Sequence, residues 1–129
     1  MNTRILMSGS AVFMGALGLY FSFFPDSFTA WLCGEAQQEM ALAMQLLGAL
    51  YLAFGVLNWM ARRLLLGGVY ARPLSMANFL HFLMGALALG KGVWAAAEPP
   101  VYLMVLAAAY GVFAVLFGLV LFARPAKVT

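Results

Sequence analysis

The chain has 129 residues, 66% of them hydrophobic and 9% charged, with a mean hydropathy of +0.98. A soluble domain carries roughly 45–50% apolar and about 25% charged residues, so this composition excludes one and points to an integral membrane protein. The net charge of +3 and the pI near 9.4 do not mark a nucleic-acid partner, because the basic residues lie in short connections and not on a folded basic face.

The N-terminal "MNTRILMSGS" has the charged start of a signal peptide. Its apolar run continues to Phe24 with no small-residue cleavage site, so a retained helix is expected over residues 5–24, stopped by Pro25 and Asp26. The connection that follows, "SFTAWLCGEAQQEM", suits an interfacial helix with Phe28, Trp31 and Leu32 dipping inward. Cys33 is the only cysteine, so neither an intramolecular disulfide nor a thiolate zinc site can form. Leu32, just before it, is too large for lipoprotein processing.

A second apolar run covers residues 40–61 and stops at Arg62 and Arg63. The third, 73–97, has Pro73 in its first turn, where a helix accepts proline. The fourth covers 101–123, from after Glu98, Pro99 and Pro100 to Arg124 and Pro125. A spanning helix needs about 20 apolar residues, so four spans account for the chain as one domain. The runs lack the period-two alternation of barrel strands, leaving helices as the spanning structure. The expected fold is an all-α integral membrane protein, an antiparallel bundle of four transmembrane helices.

The charges orient it. Six of the seven basic residues (Arg4, Arg62, Arg63, Arg72, Arg124 and Lys127) fall on one side of a four-span chain, and only Lys91 falls on the other, with the acids Asp26, Glu35, Glu39 and Glu98. The positive-inside rule then puts both termini in the cytoplasm of a bacterial inner membrane. Trp59 and Tyr70 would lie at the inner interface, with Trp31, Trp94 and Tyr102 at the outer one. Lys91 is expected to snorkel.

An internal similarity pairs "FMGALGL" with "FLMGALAL", setting Gly15 on Gly85, and "FGVLNWMAR" with "FGLVLFAR", setting Gly48 on Gly111 and Gly55 on Gly118. It implies a helical hairpin used twice in the same orientation, with a pseudo-twofold axis along the membrane normal. Small residues form stripes at helical spacing: Ser8, Ala11, Gly15, Gly18 and Ser22 on the first helix, and Ala41, Gly48 and Gly55, with Gln45, on the second. The third has Asn78, His81, Gly85, Ala88 and Gly92, and the fourth Ala107, Gly111, Ala114 and Gly118. Membrane helices associate along such seams, because lipid offers no hydrophobic drive between them.

Within "SMANFLHF" stand Asn78 and His81, the chain's one histidine. At about 1.5 Å rise per residue, Asn58 and Asn78 lie at similar depth, with His81 about one turn deeper. Asn58, Asn78 and His81, with Trp59 and Arg62 at the mouth, are therefore the candidate ligand-binding group. Two readings stand open. The polar groups either fix helix register by interhelical hydrogen bonds, or line a small-molecule, quinone or lipid-headgroup pocket, since ionisable groups in membranes are functional candidates.

No metal site is expected. The nine methionines do not form a dense soft-ligand constellation, and one histidine per chain cannot hold a haem between two imidazoles. The acids all lie at the outer ends, where none can orient His81 for catalysis. No cofactor is assigned.

The stretches "QLLGALYLAFGVLNWMAR" and "RPLSMANFLHFLMGALAL" resemble the DoxX-like group of small bacterial membrane proteins. That resemblance implies four short helices with both ends inside and an accessory role, near quinone in the case of DoxX itself. It transfers no catalytic residue. The expected function is therefore a small inner-membrane accessory or subunit that binds a partner membrane protein or an apolar ligand, lipid or quinone. A membrane-protein partner or a homo-oligomer is expected besides the membrane lipids, and no nucleic acid. The alternatives are a membrane enzyme using His81 on a lipid or isoprenoid, and an oligomeric transporter.

Overall fold

A computed structural model describes residues 2–64, 66 and 68–123 of the chain. These residues form five α-helices: α1 (Thr3–Phe23), α2 (Pro25–Cys33), α3 (Gln38–Ala61), α4 (Arg72–Ala95) and α5 (Val101–Ala123). Four segments are long and apolar enough to cross a membrane: Thr3–Phe23, Gln38–Ala61, Val69–Ala95 and Val101–Ala123. The chain is thus a multi-pass helical membrane protein. Arg124 and Lys127, part of the basic set used for orientation, lie outside the described residues.

The observed ends follow from local chemistry. Asn2 caps α1, its side-chain oxygen accepting from the Arg4 N–H at 3.1 Å. Phe24 alone separates the two helices, and Pro25 opens α2, where its missing N–H costs nothing. Gly34 ends α2 at φ +80°, a left-handed position that an L side chain enters only at a cost. Before α4 a 3₁₀ turn over Val69–Ala71 leads in. The buried Ser75 hydroxyl bonds the Ala71 and Leu66 carbonyls, at 3.1 and 3.3 Å, and so ties that turn to the helix start.

By its contacts the chain divides into two compact units, Met1–Arg63 and Leu64–Thr129. In the first, α1 and α3 run antiparallel along a seam of bare backbone. A Cβ on Gly18 would lie 2.6 Å from the Leu52 nitrogen and 2.9 Å from the Gly48 oxygen. One on Gly55 would meet the Gly15 nitrogen at 3.0 Å and the Ala11 oxygen at 3.2 Å. Ala11, Gly15, Gly18 and Ser22 thus face Gly48 and Gly55, while Gln45, expected on the same face, is exposed. α2 packs at one end of this pair: Phe28 meets Phe21 edge-on at 5.1 Å, and Phe21 meets Tyr51 at 5.9 Å. Phe28 also meets the ring of Trp31 at 6.1 Å, and Trp31 is 57% exposed.

The second unit pairs α4 with α5, again antiparallel, but with aromatic rings in the seam. Phe82 is fully buried and stacks on Phe113 at 4.7 Å and on Phe117 at 5.7 Å. A Cβ on Gly85 would strike the ring of Tyr110, and one on Gly118 would lie 3.1 Å from the ring of Phe79. Gly111 has nothing within 4 Å. The glycines matched between the hairpins therefore do different work. Gly15 faces Gly55, whereas Gly85 takes the Tyr110 ring, two helical turns along α5 from Gly118.

Candidate functional site

The five site residues divide between the units. Asn58, Trp59 and Arg62 end α3 in the first hairpin; Asn78 and His81 lie on α4 in the second.

Asn58 is fully buried. Its amide donates to the Ser10 hydroxyl oxygen at 3.1 Å, and that hydroxyl donates to the Met7 carbonyl at 3.0 Å. The result is a polar link from α3 across to the backbone of α1, inside the hairpin. Ser10 sits between Met7 and Met14, both fully buried. The buried face of α1 therefore runs through Leu6, Met7, Ser10, Ala11, Met14, Gly18 and Phe21, offset from the small-residue stripe that begins at Ser8. Depth matching held the signal for this partner. Asn58 stands four residues before Arg62 and Ser10 six after Arg4, so antiparallel helices bring them level.

Trp59 and Arg62 form a local pair. The Arg62 guanidinium lies 4.0 Å from the centre of the Trp59 ring, and its Nη1 donates to the Trp59 carbonyl. Both are on the exposed side of α3. Indole and guanidinium stacked in this way suit the headgroup layer, where one side of each is apolar and the other wet.

In the second hairpin Asn78 is fully buried, and its amide donates to the Leu74 carbonyl one turn back at 3.0 Å. The His81 ring is half-buried at the edge of the aromatic ladder, 5.1 Å from Phe82 and 5.6 Å from Tyr110. This sets the chain's one imidazole beside a buried phenol ring. Tyr110 went unnoticed in the sequence because it sits among alanines on a helix with no other polar group nearby. Its place is fixed by the notch at Gly85.

Among the described residues, no group of three His, Cys, Asp or Glu side chains comes together as metal ligands would. No family model, curated protein or solved structure matches the chain.

Proposed function

We propose that the chain is a small accessory protein of the bacterial inner membrane, with both termini in the cytoplasm, that binds a partner membrane protein or an apolar ligand such as a lipid or quinone. The observation that supports this is where the polar side chains go. Asn58 is bonded to Ser10 within its hairpin, and Asn78 to its own helix, while large apolar side chains such as Leu46, Leu50, Val105 and Val112 point outward. A chain that uses these two buried amides for cohesion offers neighbours a mainly apolar face. Recognition would then depend on shape and small-residue seams, as is usual between membrane helices. The charge distribution supports the orientation, and the matched glycine stretches support a duplicated hairpin.

A second function, a membrane enzyme acting on a lipid or isoprenoid, is favoured by one feature: His81, the chain's one imidazole and an acid–base group in kind, stands with its ring 5.6 Å from that of Tyr110.

The test is native mass spectrometry of wild type and His81→Ala, extracted gently from their own membrane. An accessory role predicts a discrete protein partner or bound small molecule on the wild type. A small molecule lost in His81→Ala would place the ligand at the histidine, and a protein partner kept by both would put recognition on the outer faces. A bare protein in both, joined by solute movement in liposomes, would overturn the accessory role in favour of transport.

A further inference from the structure

One amide within the apolar runs is left over. Asn58 and Asn78 are buried and bonded, whereas Gln45 is exposed and meets no hydrogen-bond partner among the described residues. It stands on α3, five residues inside the run that begins at Met40, about 7 Å at the helical rise. Acyl chains at that depth can neither donate nor accept. An amide there is costly unless a protein group meets it.

The surface around Gln45 admits a close neighbour. α3 turns Gly48 and Gly55 to α1, which leaves open the side carrying Gln45, Ala49 and Ala53, one turn apart and all exposed. Leu42 and Val56, 59% and 57% exposed, stand before and after them on that side. The alanines let a second backbone come near, and the glutamine one turn away supplies a bond across the contact; membrane helices associate by both means. The outward faces of α4 and α5 carry no amide: α4 turns out Leu80, Met84 and Leu87, and α5 Val105, Val112 and Val115.

We propose that α3 pairs with α3 of a second copy of this chain, parallel and in register, with the two Gln45 amides bonded to each other. The amide chemistry selects this partner. A glutamine holds both an acceptor oxygen and an NH₂ donor, so two of them facing each other satisfy both. A second copy brings its own Gln45 to the same depth, because all copies insert in one sense. A twofold axis along the membrane normal then lines both sides of the contact with the same residues, as an isologous interface requires. Lipid cannot take this place, since its tails offer the amide nothing. The dimer goes beyond the accessory role proposed above, which needs only one copy.

The experiment labels full-length protein with donor or acceptor dye at Cys33, its one cysteine and an exposed one, and mixes the two in phosphatidylcholine vesicles. Energy transfer is followed as the protein is diluted with lipid. Gln45→Leu removes the amide and keeps a side chain of similar size, and Ala49→Leu thickens the contact. Both positions are exposed, and far-UV circular dichroism reports whether each variant keeps its helices. Wild type should transfer at dilutions where chance encounters no longer do. Gln45→Leu should need about tenfold more protein per lipid for half the transfer, in line with one interhelical polar bond, and Ala49→Leu should lose transfer. In a Cys33→Ser background, Ala49→Cys should form a disulfide-linked dimer on mild oxidation in its own membrane. Leu50→Cys, about 100° round the helix, should not. Wild-type transfer no greater than chance would overturn the proposal and leave Gln45 to an unlike membrane protein. So would one midpoint for all three proteins, or cross-linking through position 50 and not 49, either of which puts the contact on another face.

Discussion

At the scale of single residues, a buried amide has to be satisfied, and in hydrocarbon the alternatives to a protein partner are few. Asn58 finds its partner in Ser10 and thereby bonds α3 to α1. Interhelical bonds of this kind are worth about 0.6–2 kcal/mol, modest beside the packing around them, but they act at one register only. A double-mutant cycle of Ser10→Ala and Asn58→Ala, read by reversible unfolding in mixed micelles, should return a coupling energy in that range. Strict additivity would mean that the bond contributes nothing. That Asn58 is buried was legible in the sequence, since an asparagine between apolar residues has nowhere else to go. Its partner was not, because Ser10 lies off the stripe of smallest residues and is placed by the turn of α1 that also buries Met7 and Met14.

At the scale of elements, both hairpins are built from glycine-rich helices but solve the packing differently. In the first, backbone lies on backbone, and at Gly18 and Gly48 a side chain has no room. Any Cβ on Gly48 would sit 2.5 Å from the Ser22 hydroxyl oxygen and 2.8 Å from the Ser22 nitrogen. Gly48→Ala should therefore force the helices apart and destabilise the first hairpin by about 1–3 kcal/mol, the usual cost of overpacking. Gly111→Ala, at the matched position of the second hairpin, meets nothing within 4 Å and should leave stability unchanged. Thermal unfolding of the two variants in one detergent decides it, and equal losses would mean that the hairpins pack alike. Sequence comparison matched these glycines because it sees residue type and spacing. The choice between backbone and ring as the filler rests on Tyr110, Phe79 and Phe82, whose rings occupy the notches that the glycines leave.

For the whole molecule, the orientation has a direct test in the chain's single cysteine. Cys33 is exposed, and it ends α2 in the connection between the first two spans. With both termini in the cytoplasm, that connection lies outside. A membrane-impermeant maleimide should then label Cys33 in intact cells and fail to do so in sealed inside-out vesicles. The reverse pattern would invert the topology and contradict the charge bias of the connections.

Several features follow from the sequence alone. The membrane class, the four spans and the small-residue stripes of their helices all depend on local quantities: apolar length, proline and charge at the boundaries, and spacing along one helix. Burial of Asn58 and Asn78 belongs with them, since an amide in an apolar run has to meet protein. Other features needed the tertiary structure. Ser10 as the partner of Asn58, Tyr110 beside His81, the phenylalanine ladder around Phe82 and the Phe79 ring over Gly118 each arise where two helices meet at a particular register. That register is set by how side chains of different size fill the space between two particular helices, and no pattern along one helix encodes what stands opposite it.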